Sequence, residues 1–217
     1  MPDDGIRMAS ADQLTTCLLE LASAGCQGNL HDFQAWIKYA YSIETDVDAL
    51  SEVAAELTRS GRLKQHPEIP SELIIAGEIS FPERVSYQVS GDLKDSPIQM
   101  VRSRMETFLR YFGAGEADIM DLSIATTEAM ENAVKYSDHK TIEVTYSLVG
   151  GQFDIKIVNR IGEIRLEQDI ESGKYSGSTT LMRGMMVMVK LFDEVDIDII
   201  NEKGLAIFTA SRKLKVA

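Results

Sequence analysis

The sequence holds little cysteine and histidine, and it contains no long apolar run. Cys17 and Cys26 are its two cysteines among 217 residues, and they form no CxxC pattern, so a disulfide framework is not expected. The three histidines, His31, His66 and His139, are scattered along the chain, and their spacing predicts no zinc site. The apolar stretches are too short to span a bilayer, so no membrane segment is expected.

The N-terminus lacks the pattern of a secretory signal. Residues 1–8 carry two aspartates and no apolar core, whereas a signal peptide needs a basic start followed by an apolar stretch. Together with the scarcity of cysteine, this predicts a cytoplasmic protein.

Positive charge is also scarce, and the formal net charge is -12. Such a surface repels nucleic acid and anionic membranes, so neither is expected as a partner. Residues 1–80 hold 13 of the 34 acidic residues and only 5 of the 22 basic ones. This acidic part either serves solubility or is recognised by a basic protein partner.

Residues 1–64 are predicted to form a small helical region used for dimerisation or partner binding. Residues 65–80 contain Pro67 and Pro70 and are predicted to be a linker to a second domain at 81–217. Helical spacing of apolar residues, with Ser10 as an N-cap and Gly61 as a terminating glycine, indicates three helices in the first region. They are expected at 11–24, 29–41 and 46–60.

The second domain is predicted to be α+β, a two-layer sandwich of a mostly antiparallel sheet with helices on one face. Its order is β-α-α-β-β-loop-α-β-β, with Gly150 and Gly151 forming a hairpin turn. Pro97 lies in the first turn of its first helix, with Asp95 or Ser96 as the cap. The elements are expected at 84–89, from 97 to Gly113, and at 116–136, 141–149, 152–158, 181–192, 194–200 and 205–212.

Glu128 and Asn132 stand four residues apart in the second of these helices, so they lie on one face. An asparagine supplies a neutral oxygen to a hard cation such as Mg²⁺. A carboxylate one turn away can act as a general base toward a hydroxyl. The alternative is an ordinary polar stripe on a solvated helix, and the spacing alone does not separate the two.

The segment from Glu128 to Tyr136, EAMENAVKY, resembles the N-box of the GHKL ATPase superfamily, which has a Bergerat-type fold. More narrowly, residues 84–214 resemble the bacterial anti-sigma-factor serine/threonine kinases of the sporulation and general-stress type. The Glu-Ala-x-x-Asn-Ala core, the Gly-Gly hairpin and the late Phe192-Asp-Glu-Val195 carry the likeness.

The resemblance implies ATP and Mg²⁺ as cofactors, with Asn132 as the metal ligand and Glu128 as the catalytic base. It implies a protein partner, either a sigma factor or an anti-sigma-factor antagonist that carries the phosphorylated serine. It also implies a homodimer.

The family's adenine-binding Asp-x-Gly-x-Gly motif corresponds here to Asn159-Arg-Ile-Gly162-Glu. Asn159 replaces the aspartate and can accept a hydrogen bond from adenine without charge assistance. Gly162 lies between the two glycine positions of the motif.

The family's Gly-x-Gly lid motif is partly retained. Gly184 matches its second glycine, and Arg183 before it can contact phosphate. Upstream, Thr179 and Thr180 end a donor-rich stretch at a helix N-terminus, which favours an anion; the alternative for this stretch is a simple mobile loop. In the last hairpin, Gly204-Leu205 lacks the threonine that the family often places near adenine.

Three functions follow from these patterns. The first is an ATP-dependent serine/threonine kinase that also holds a sigma factor or similar target. The second is a pseudokinase, an interaction module of a partner-switching pathway, which the altered glycine motifs favour. The third is the ATPase part of a histidine kinase, and it is disfavoured because His31-Asp32 reverses the His-acid order of a phospho-acceptor.

Overall fold

The computed structural model describes residues 9–90, 97–137, 141–161, 186–200 and 203–216. The chain divides into two units, Met1–Pro82 and Glu83–Ala217. Within the described residues, no helix is long and apolar enough to cross a membrane.

Three capped helices form most of the first unit. The side chain of Ser10 accepts the backbone N–H of Gln13, and those of Asn29 and Asp46 accept N–H groups at the starts of the next two helices. These oxygens satisfy donors that a helix start leaves unpaired. The helices are α1 (Ala11–Ser23), α2 (Leu30–Tyr41) and α3 (Val47–Arg59).

The apolar stripes of the three helices meet in one core. Leu18, Phe33, Ile37 and Leu50 are fully buried, and within each helix the buried residues recur at the three- and four-residue spacing that places side chains on one face. Gly61 follows α3 with a φ of 72°, a left-handed conformation that glycine adopts without strain. The three predicted helices are therefore present in the structure.

Residues 65–80, predicted as a linker, contribute secondary structure to the first unit. The strands β1 (Leu63–Gln65) and β2 (Leu73–Ile75) pair antiparallel. Between them, Nδ1 of His66 accepts the backbone N–H groups of Glu68 and Ile69 at 3.2 and 3.1 Å. Strands of three residues are too short to show an alternating pattern, so Pro67 and Pro70 dominated the sequence signal.

The second unit is α+β, as predicted. Its five-stranded sheet has the order β3-β4-β5-β7-β6, and every neighbouring pair is antiparallel. Residues 186–191 are helical, within the predicted helix 181–192, whereas the predicted caps Asp95 and Ser96 lie outside the described residues. The named elements are β3 (Arg84–Ser90), α4 (Pro97–Tyr111), α5 (Glu116–Tyr136), β4 (Thr141–Val149), β5 (Gln152–Arg160), β6 (Glu194–Ile200) and β7 (Leu205–Lys213).

The turn between β4 and β5 has positive φ at both glycines, 57° at Gly150 and 75° at Gly151. Two such residues form the turn whose twist matches that of a hairpin. The predicted glycine hairpin is thus present, and it fixes the register of β4 against β5.

One face of this sheet carries the helices. Side chains alternate along a strand, and Tyr146 and Phe153 are buried on the same face. Phe108 of α4 packs edge-on against Tyr146, with 5.1 Å between ring centroids. The core of the second unit therefore lies between the sheet and the layer formed by α4 and α5.

Candidate functional site

Helix α5 brings Glu128 and Asn132 into direct contact. The side-chain amide nitrogen Nδ2 of Asn132 donates to Oε1 of Glu128 at 3.2 Å, in a partly buried position. Because the nitrogen donates, the amide oxygen of Asn132 remains the acceptor of the pair. A carboxylate and a neutral oxygen therefore lie side by side, as the spacing predicts.

These two residues belong to a longer stripe on α5. Asp118, Asp121, Ala125, Glu128 and Asn132 follow one another at spacings of three and four residues, which places them along one side of the helix. Ala125 is fully buried, and Glu128 and Asn132 are half-buried. We call this set the α5 stripe.

The sheet determines where the α5 stripe points. Arg212 of β7 donates hydrogen bonds to the carboxylates of Asp118 and Asp121. Since the stripe runs along one side of the helix, Glu128 and Asn132 lie on the β7 side of α5 and not on its outer surface. This position distinguishes them from an ordinary solvated stripe.

Asn159 occupies the helix-facing side of β5. Its neighbours across the sheet are Ile142 of β4 and Ala206 of β7, and α5 packs on β4 and β5. Only 7% of Asn159 is exposed, so its side chain lies within the layer between the sheet and the helices. A side-chain amide carries both donor and acceptor groups, so Asn159 can hydrogen-bond a ligand of either kind.

The chain just after Asn159 is held by the β6–β7 turn. The N–H of Ile161 donates to the carbonyl oxygen of Gly204 at 2.9 Å. Gly204 has a φ of +58°, and a Cβ there would lie 3.1 Å from the carbonyl oxygen of Ile161. Glycine at this position therefore permits the close approach of the two segments.

Five of the predicted site residues lie outside the described residues. They are Gly162, Thr179, Thr180, Arg183 and Gly184. Of the predicted site, the structure places Glu128, Asn132 and Asn159 in one layered unit, and it brings Glu128 and Asn132 into hydrogen-bond contact.

Asp118, Asp121 and Arg212 were missed in the sequence. The two aspartates continue the spacing of Glu128 and Asn132 toward the start of α5, which was a readable signal. Arg212 follows Phe208 and Ala210 on the helix-facing side of β7, where a charged residue indicates a partner in the helical layer. The pairing itself spans more than 90 positions, and the sequence carries no sign of it.

The described residues of this site supply few oxygen ligands for a metal ion. Within the described ranges, no three His, Cys, Asp or Glu side chains gather into a group able to hold a metal ion. Mg²⁺ commonly takes one or two protein oxygens and completes its shell with water and phosphate. The Glu128–Asn132 pair can supply those one or two protein oxygens, with water and phosphate as the remaining ligands.

The opposite face of the sheet bears a separate cleft of about 680 Å³. Its lining alternates hydroxyls with charges of both signs, among them Thr145, Lys156, Thr209 and Asp196. These side chains point away from the helices because they alternate with the buried positions of their strands. This cleft therefore does not contribute to the α5 site.

A family model described as "Histidine kinase-like ATPase domain" matches residues 94–208. That range runs from the start of α4 into β7 and includes all predicted site residues. Among curated proteins, none matches the chain.

One solved structure with a resemblance is the crystal structure of the SiaB-SiaC complex from Pseudomonas aeruginosa. The alignment has 14% sequence identity and a TM-score of 0.40, and it covers 75% of this chain and 96% of that chain.

Proposed function

The chain belongs to the family of histidine kinase-like ATPase domains, and from this premise we propose that its second unit binds ATP·Mg²⁺ between the α5 stripe and β5. The burial of Asn159 on the helix-facing side of β5 is the observation that carries this proposal. Asn159 is placed to hydrogen-bond an adenine, while Glu128 and Asn132 supply oxygens where phosphates and metal would lie.

The donor set fits magnesium and a phosphate chain. Asn132 offers a neutral amide oxygen, which a hard cation accepts as a ligand without demanding further protein charge. Glu128 is a carboxylate hydrogen-bonded to that amide, so its orientation is fixed before a ligand arrives. When bound, Mg²⁺ would neutralise charge on the phosphates.

Glu128 is proposed as the base of a phosphoryl transfer. In such a reaction a hydroxyl proton passes to the Glu128 carboxylate as the hydroxyl oxygen attacks the γ-phosphorus, and ADP leaves with the electrons of the broken P–O bond. Positioning and charge stabilisation supply most of the rate in this chemistry. A short polar stripe on a rigid helix is sufficient for that role.

We propose further that this unit acts on a protein partner in a regulatory pathway, phosphorylating a serine or threonine on it or sequestering it. The family resemblance of the N-box and the acidic first unit support a protein partner. The altered glycine positions support a second candidate, a pseudokinase that binds its partner without transferring phosphate.

Calorimetry with ATP·Mg²⁺ on the wild-type protein and on Asn132→Ala tests nucleotide binding. We expect saturable binding to the wild type and a loss of its magnesium-dependent part in the variant. Asn29→Ala is a matched control because it removes an asparagine that caps α2 in the first unit, and it should bind as the wild type does. No binding by the wild type at millimolar nucleotide would overturn the proposal.

Transfer of labelled γ-phosphate from ATP to candidate partner proteins separates kinase from pseudokinase. A kinase is expected to lose transfer in Glu128→Ala while retaining nucleotide binding. Transfer that persists unchanged in this variant contradicts the base role of Glu128. Binding without any transfer by the wild type identifies the pseudokinase.

A further inference from the structure

Arg212 connects three elements around the α5 stripe. Its Nη2 donates to Oδ1 of Asp118 at 2.6 Å, and its Nη1 donates to Oδ2 of Asp121 at 3.1 Å. The same Nη1 donates to the carbonyl oxygen of Leu191 at 3.0 Å. One guanidinium therefore joins β7, the first turns of α5 and the end of the helical residues 186–191.

The burial of this group makes its ion pairs stronger than those of an open surface. The side chain of Arg212 is 19% exposed, and those of Asp118 and Asp121 are 26% and 40% exposed. Charges partly shielded from water interact more strongly than fully solvated ones. Asp118 and Asp121 also lie one turn apart and would repel each other without a shared cation.

Arg212 does not reach the proposed reacting groups. Glu128 follows Asp121 by two helical turns, and at a rise of about 1.5 Å per residue this is roughly 10 Å along the axis. An effect of Arg212 on the site is therefore indirect, and its bonds to Asp118 and Asp121 direct that effect through the orientation of α5.

The sheet register relates Arg212 to the position of Asn159. Arg212 stands opposite Phe153 of β5, and six positions earlier on β7, Ala206 stands opposite Asn159. The apolar contacts below α5 choose which face is buried, but hydrophobic attraction itself is not directional and adjusts to small rotations about the helix axis. Hydrogen bonds from a planar guanidinium are directional.

We propose that Arg212 is a positioning residue of the nucleotide site, setting the rotation of α5 so that Glu128 and Asn132 face the sheet on the side of Asn159. This inference rests on the proposed function. It names Arg212, Asp118 and Asp121 as residues whose loss weakens the magnesium-dependent part of nucleotide binding without their touching the nucleotide.

A second arginine provides a matched control. Arg110 of α4 donates to both carboxylate oxygens of Glu116 at 2.9 and 3.1 Å, in the first turn of the same helix. Those side chains are 49% and 74% exposed, and exposed pairs contribute little. This pair does not connect α5 to the sheet.

The experiment compares Arg212→Met, Arg212→Lys and Arg110→Met in the full chain. Calorimetry measures the dissociation constants of ATP·Mg²⁺ and of ADP without metal, and urea unfolding confirms that each variant is folded. We expect Arg212→Met to weaken ATP·Mg²⁺ binding by about tenfold, as displacement of supporting groups does. Arg212→Lys should fall between it and the wild type, since an ammonium lacks the planar fork, and Arg110→Met should bind as the wild type does.

The metal-free ligand separates positioning from general loss of structure. A rotation of α5 would displace Glu128 and Asn132, which are proposed to hold metal and phosphate, and would leave Asn159 in place. ADP without Mg²⁺ should therefore bind Arg212→Met nearly as it binds the wild type. Equal weakening of both ligands, or an effect no larger than that of Arg110→Met, overturns the positioning role while the proposed function stands. Wild-type protein that binds neither ligand overturns the proposed function, and this inference with it.

If Arg212→Met does not fold, Arg212→Lys and Asp121→Asn carry the same test. Asp121→Asn removes one charge of the pair and keeps the side-chain shape. Wild-type affinity for ATP·Mg²⁺ in both of these variants overturns the positioning role.

Discussion

In the first unit, Ser10, Asn29 and Asp46 each accept backbone N–H groups at the start of a helix, and His66 accepts two more in the β1–β2 loop. In the second unit, Asn159 is buried on the helix-facing side of β5 and caps no helix. Asn132 contacts another side chain, Glu128, and not the backbone.

The same residue types therefore have different roles in the two units. A polar side chain whose hydrogen bonds close on the backbone stabilises the fold. A buried polar side chain that does not cap the backbone can instead serve a ligand, whose hydrogen bonds offset the cost of removing that side chain from water. From this difference we propose that the chemistry lies in the second unit, and four predictions test it.

The largest expected effects are on the cores. Phe33 and Phe153 are both fully buried, one in each unit, and truncation of either to alanine should cost about 3–5 kcal/mol. Phe33→Ala should destabilise the first unit and leave ATP·Mg²⁺ binding unchanged, whereas Phe153→Ala, within β5, should weaken binding. Fluorescence of Trp36, the single tryptophan, follows unfolding of the first unit. Loss of nucleotide binding in folded Phe33→Ala would contradict the assignment of nucleotide binding to the second unit.

The next largest effect concerns the side-chain amide of Asn159. Asn159→Leu keeps the shape of the side chain and removes its hydrogen-bonding groups, so nucleotide affinity should fall by about tenfold, equivalent to about 1.4 kcal/mol. The loss should be the same with and without Mg²⁺ because Asn159 is proposed to contact adenine. Calorimetry with ATP·Mg²⁺ and with metal-free ADP measures both values. Unchanged affinity for either ligand contradicts this role.

A smaller effect is expected at Asn29, whose side-chain amide caps a helix. Asn29 caps α2, and Asn29→Ala should lower the free energy of unfolding by about 1 kcal/mol, observed as a shift of the Trp36 transition in urea. Asn29→Ser retains a capping oxygen and should show little change. An equal loss in both variants indicates that the cap is not the cause.

The smallest effect is a pH dependence of the first unit. Burial, and then the hydrogen bond from its hydroxyl to Glu20, raise the pKa of Tyr41 in the folded protein. The folded pKa lies above the unfolded value of about 10, so this contribution is complete below that value and is lost as pH rises beyond it. The free energy of unfolding of the first unit, followed by Trp36 fluorescence, should fall above about pH 10 in the wild type. Tyr41→Phe should show a shallower fall, and an equal fall in both proteins contradicts the assignment.

Local signals were enough to predict most of the fold. The oxygens of Ser10 and Asn29, the glycines at 61 and at 150–151, and the periodic apolar positions act over a few residues and can be read directly. The β1–β2 hairpin was not recognised because its strands are short and its pairing joins residues eight to twelve positions apart.

Among the candidate site residues, the sequence predicted a contact only where both partners share one helix. Glu128 and Asn132 stack because of helical geometry, and a single sequence reveals this. Arg212 reaches Asp118 and Asp121 through the packing of α5 on the sheet, which no local pattern encodes. The burial of Asn159 likewise depends on the helix that covers β5.

Backbone amide hydrogen exchange of the full chain, with and without saturating ATP·Mg²⁺, tests the central claim most directly, because one experiment observes both units. Exchange is expected to slow in α5 (Glu116–Tyr136) and at the end of β5, and to stay unchanged in α1, α2 and α3. Protection confined to the three helices of the first unit, or none in α5 at saturation, contradicts the placement of the nucleotide site.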